Sequence, residues 1–161
     1  MKTGSEASMT INDACDYIIL KITEAGAGLS LLKLQKLLYY TQAWALAFNG
    51  ELLFDGRFQA WVHGPVNRQI YDRFARKSLY AEVTSADITP GFDFNSIPAV
   101  TRQHIDAVLE VYAKYTGAQL ESMTHDERPW TEAREGYSPS ARCEIEISER
   151  TMRDYYAARV R

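Results

Sequence analysis

Two stretches of the chain carry residue types that could do chemistry. The first is Ala60-Trp61-Val62-His63-Gly64-Pro65-Val66, running on to Ile70-Tyr71 and Phe74. The second is Leu120-Glu121-Ser122-Met123-Thr124-His125, followed by Arg128-Pro129-Trp130 and Ala133-Arg134. Each sets a histidine and a tryptophan beside a proline at an expected helix boundary. His63 and His125 could share a metal ion with a third ligand drawn from Asp126, Glu127 or His104, but no H-E-x-x-H or paired-cysteine spacing supports it. A nucleophile reading would use Cys143, Ser122 or Thr124 with a histidine as base, and no nucleophile-elbow sequence is present. The plainer expectation is that both imidazoles satisfy polar groups at helix ends, and that Thr124 hydrogen-bonds near one. No metal, cofactor or catalytic residue is therefore expected. The glycines at 26 and 28 lack the strand before and the lysine after that a phosphate loop needs.

The elements that must position these residues are mostly helical. Thr10 is placed to cap a first helix, with Ile11, Ala14, Cys15, Ile18 and Ile22 at helical spacing. Ser30 and Gly50 bracket a second helix. Leu34, Leu37, Leu38, Ala45 and Phe48 form one face, more apolar residues cover most of the rest, and Lys33, Gln35, Lys36 and Gln42 leave a narrow polar strip. A helix apolar around most of its girth belongs at the centre of a fold. Asp55-Gly56 marks a turn, and the alternation across 58–62 suggests an extended segment or hairpin. Gly64-Pro65 reads as the start of a third helix. Residues 81–98 read as an irregular loop of the length that often has a role. A fourth helix is expected over 99–115, a fifth behind a Thr116–Gln119 capping box, a short turn from Pro129, an extended piece at 144–147 and a last helix capped by Ser148. The fold class that follows is mainly α: one compact helical domain over residues 10–161 behind a flexible 1–9, with at most a small β-hairpin or short extended segments.

Composition narrows the function classes. The chain has 161 residues, 46% of them hydrophobic, enough for one core. Its net charge of −3 lacks the basic excess of a general nucleic-acid binder, and two cysteines make no disulfide framework. No apolar run approaches a membrane span and no signal-peptide pattern is present, so a cytoplasmic protein is expected. The third helix is locally basic, with Arg68, Arg73, Arg76 and Lys77 against Asp72. This is either a solvated face or a contact for an acidic protein or for phosphates.

Together, the two stretches and Leu34-Gln35-Lys36-Leu37-Leu38-Tyr39-Tyr40 with Ala43-Trp44 resemble the Panacea-domain proteins, which include the SocA-like antitoxins. The resemblance spans residues 10–158. It implies an antitoxin that neutralises a cognate protein toxin by direct binding, and it leaves open delivery of that toxin to an ATP-dependent protease by the antitoxin as adaptor. It maps the family's hallmark residues to Trp61, His63, Gly64, Pro65, Thr124, His125, Pro129, Trp130 and Arg134, whether they hold the fold or touch the partner. Arg68, Arg73, Arg76, Lys77, Phe92 and Phe94 are further candidates for partner contact. The alternative is a DNA-binding regulator of its own operon, reading DNA through the basic third helix. Nucleic acid as the main partner sits poorly with the acidic balance.

Overall fold

A computed structural model of the chain describes residues 9–75 and 77–160. Within them run α1 (Ile11–Glu24), α2 (Leu31–Asn49), β1 (Gln59–Trp61), β2 (Gly64–Val66), α3 (Arg68–Arg73), α4 (Ala99–Tyr112), α5 (Gly117–His125), α6 (Arg128–Ala133) and α7 (Glu149–Ala157), with 3₁₀ turns at Ser85–Asp87 and Phe94–Ser96. The fold is thus mainly α with one small antiparallel hairpin. None of the described helices is long and apolar enough to cross a membrane.

Several caps behave as their sequence demands. Thr10, Ser30 and Ser148 each accept a hydrogen bond from the third residue on, and Thr116 and Gln119 close a full capping box. Gly50 ends α2 in the left-handed region at φ +71°, where a residue with a Cβ is strained. The expected loose residues 1–8 lie outside those described, whereas Met9 is already part of the core and bridges Phe54.

α2 is the central pillar, packed by α1, α4, α5, α7 and the hairpin. Its expected polar strip does not face water. Lys33, Gln35, Lys36 and Gln42 are all buried, and each holds the backbone of a segment that has little secondary structure of its own. Gln35 grips Asn67 at both ends: its Nε2 donates to the Asn67 carbonyl at 3.1 Å and its Oε1 accepts from the Asn67 N–H at 2.8 Å. Gln42 does the same one turn further, donating to Phe54 O at 2.7 Å and accepting from Leu53 N–H at 2.8 Å. Lys33 Nζ donates to Ala113 O and Lys36 Nζ to Pro65 O at 3.0 Å. Four polar side chains on an otherwise apolar helix thereby satisfy backbone groups that a core of leucines would leave unpaired.

On the far side of α2, tyrosines dock α7. Tyr40 stacks on Tyr112 at 4.1 Å, and Tyr39 and Tyr156 share a hydroxyl contact at 3.1 Å. The Glu127 carboxylate accepts from Tyr40 and Tyr156 at 2.8 and 2.7 Å; burial pushes its pKa up, while these two hydroxyls pull it down. Phe48 departs from the expectation that it joins the Leu34 face: it is 59% exposed, because α2 outruns the core in its last turn.

The third helix is also shorter than Gly64-Pro65 suggested. Those two residues belong to β2, where Pro65 stands opposite Ala60 and Gly64 opposite Trp61. Asn67 is the actual cap, its side chain accepting from Ile70 N–H at 2.9 Å. A proline can sit in this edge pairing because its missing N–H is not asked to donate. The 81–98 stretch is tied down rather than free: Val83 N–H bonds to Leu29 O, Leu31 and Leu32 bond back to Ala81 and Leu79, and Thr89 N–H reaches the Asp16 carboxylate.

Candidate functional site

The two chemistry-bearing stretches meet at the β1–β2 hairpin. The bend is held at Gly64, whose φ is +94°; a Cβ there would lie 2.6 Å from Lys36 Cε and 2.8 Å from Thr124 Oγ1. Both the backbone angle and the space therefore require glycine. Beneath the bend, Lys36 is fully buried, and loss of solvent lowers its amine from 10.5 to about 7, partly countered by the Glu121 carboxylate. Thr124, also buried, donates to Glu121 O at 2.7 Å, the helix-end role expected of it.

From the other side, α6 buttresses the same hairpin. Trp130 Nε1 donates to Trp61 O at 2.8 Å, and the indole stacks on the His125 ring at 4.1 Å and 19°. Pro129 occupies the first turn of α6, where it needs no donor. Arg134 is 4% exposed and gives its guanidinium to backbone alone: Ala60 O at 2.7 Å, then the carbonyls of Ser138, Pro139 and Ala141. One cation thus ties β1 to the 138–141 loop. His125 is held to the Val62 backbone, its Nε2 is buried without a partner, and burial lowers its pKa.

Of the hallmark residues, Trp61 and His63 are the ones that reach the surface. His63 has a 40% exposed side chain and lies 3.3 Å from Glu121. Trp61 meets Tyr71 edge-on at 4.9 Å, with the Arg68 guanidinium 5.8 Å from the indole. These side chains, with Arg142 and Glu144 across from them, line a cleft of about 410 Å³. Its charges are nearly balanced, since Arg68 pairs with Asp72 and Glu144, and Arg142 with Glu144. Cys143 borders the cleft, but its side chain is buried.

The remaining candidates are scattered. Arg73 is inside the fold, bonding Asp16, Asn12 and Asp87 O, so it pins α3 to α1. Lys77 pairs with Asp87 at 2.9 Å. Arg76 lies outside the described residues. Phe92 packs against the core, while Phe94 is 39% exposed with Arg102 over its ring at 5.4 Å. Among the described residues no three of His, Cys, Asp and Glu gather as metal ligands. The suggested third ligands are engaged elsewhere: Glu127 with the tyrosines, and His104 with Thr41 O at 2.9 Å. Sequence reasoning missed Lys36, Gln35 and Gln42 as parts of this frame. The available signal was long polar side chains on a helix with no polar face to spare.

Comparison with known proteins agrees with this arrangement of conserved-looking segments around α2 and the hairpin. The family model for the antitoxin SocA-like Panacea domain matches residues 34–131, which takes in α2, the hairpin, α5 and most of α6. Antitoxin SocA of Caulobacter vibrioides (strain NA1000 / CB15N) is 27% identical, over 96% of this chain and 86% of its own length. No solved structure matches. The matched span covers more than half of the chain, and the chain belongs to the SocA-like, Panacea-domain antitoxin family.

Proposed function

We propose that this protein is an antitoxin that neutralises a cognate protein toxin by direct binding, with the cleft beside the hairpin as part of the contact. The observation that carries the reading is the family match across 34–131 together with what its segments do at the hairpin. Buried residues brace the bend from two sides, and Trp61, Arg68 and Tyr71 stand at the surface on that brace. Aromatic and arginine side chains on a rigid base are the usual anchors of a protein interface. Such a role needs no catalytic group.

Delivery of the bound toxin to an ATP-dependent protease is the finer form of the same reading. The DNA-binding alternative has less support: α3 is six residues long, and Arg73 and Lys77 already serve carboxylates within the fold. The test is co-expression of the tagged protein with the product of the neighbouring gene. Neutralisation predicts a stable complex and relief of toxicity, both weakened in the Arg68→Ala, Tyr71→Ala variant. Delivery further predicts that the toxin's half-life shortens when the antitoxin is present. A toxic neighbour that the intact protein neither binds nor relieves would overturn the proposal.

A further inference from the structure

α4 carries a second apolar stripe, separate from the one that packs into the core. Ile105, Val108, Leu109 and Tyr112 face inward and are buried. Val100, His104, Ala107 and Val111 follow a 4-3-4 spacing on an outer face, with Val100 73% and Val111 53% exposed. Phe48 and Trp44 of α2 continue this face, and the groove between the two helices holds about 220 Å³ between walls that are almost wholly apolar. Exposed large apolar residues are ordinary when single, but here they share one face with helical periodicity.

We infer that this face is where a second copy of the chain docks, α4 against α4 and antiparallel about a two-fold axis near residues 105 and 106. The spacing is self-complementary in that direction alone. Val100 of one copy meets Val111 of the other, and His104 meets Ala107, so a large side chain faces a small one at the centre. The flanking charges select the same orientation. Antiparallel pairing brings exposed Glu110 towards exposed Gln103 of the other copy, an acceptor to a donor, whereas parallel pairing sets Glu110 against Glu110. Antiparallel helix dipoles add to the preference. His104 already spends its Nε2 on Thr41 O, so its ring can lie in the seam without losing that partner. The face is one helix wide and sits at the low end of specific interfaces, about 1,200 Å² or less in total, so the association is of the weak, concentration-dependent kind.

Sedimentation velocity on the whole chain, from low to high micromolar concentration, tests this. The mass should climb from one copy towards two, and the Val100→Glu, Val111→Glu double variant should weaken association about tenfold or more with an unchanged thermal midpoint. Orientation is read from cross-linking. Val100→Cys mixed with Val111→Cys should form a disulfide-linked pair, while Val100→Cys alone should not; the native Cys15 and Cys143 are buried and do not compete. A chain that stays single at every concentration would overturn the proposal and leave the face to a different protein. Val100→Cys linking to itself as readily as to Val111→Cys would overturn the antiparallel pairing.

Discussion

Replacing Lys36 by methionine should flatten the pH dependence of stability in one defined window. The amine is fully buried, meets one carbonyl, and is lowered from 10.5 to about 7 by loss of solvent. Between these values the unfolded chain holds a proton on Lys36 that the folded chain does not. Stability therefore rises with pH through the window and stops depending on this group below about 7, where both states are protonated. From about pH 7 to about pH 9 the wild type should gain at most about 3 kcal/mol from this residue, at about 1.4 kcal/mol per unit. Above that range buried tyrosines oppose it, since burial raises Tyr39 and Tyr40 and the unfolded phenols ionise first. In Lys36→Met the apolar chain fills the same volume and the cost is the lost donor to Pro65 O, about 1 kcal/mol. Urea midpoints of both proteins at intervals across the window give the difference directly. The variant's advantage should shrink steadily as pH rises. If the two midpoints run parallel from about pH 7 to about pH 9, Lys36 is charged inside the fold and the account of the hairpin's base is wrong.

Other substitutions probe the same frame. Gly64→Ala combines a left-handed backbone with a 2.6 Å approach to Lys36 Cε and should lose about 3 kcal/mol, read as a fall in thermal midpoint. Arg134→Met strips the carbonyls of Ala60, Ser138 and Ala141 of their donor and should cost about 3 kcal/mol or more. Arg134→Lys should recover little of that, because one ammonium cannot span the same fork. Arg73→Ala leaves Asp16, 3% exposed at its side chain, without its cation and should cost about 3 kcal/mol. Adding Asp16→Asn should recover part of the loss, a coupling that a double-mutant cycle in urea would measure.

The helices were legible because their signals are local. Thr10, Ser30, Thr116 and Ser148 announce caps within one turn of chain, and the apolar periodicity of α1 and α4 names their buried faces. The centrality of α2 was equally plain from its apolar girth. What misled was chemistry decided by distant neighbours. Gly64-Pro65 fits a helix start as well as a hairpin bend, and the choice falls to Ala60 opposite, to Lys36 beneath and to Asn67 as a better cap. The polar residues of α2 look like a wet strip in one dimension. In three they are buried, because the chain returns on that side as backbone needing partners. The basic third helix misled for a related reason: Asp16 and Asp87, which engage Arg73 and Lys77, lie far from α3 in one case and beyond its end in the other.

The grips of α2 are indifferent to what they hold. Gln35, Gln42, Lys33 and Lys36 bond to the main chain of residues 53, 54, 65, 67 and 113, and every amino acid offers the same carbonyl there. The path of the outer segments is therefore written in α2, while their side chains remain free to change. A protein built this way can exchange the face it presents to a partner, residue by residue, without renegotiating its architecture.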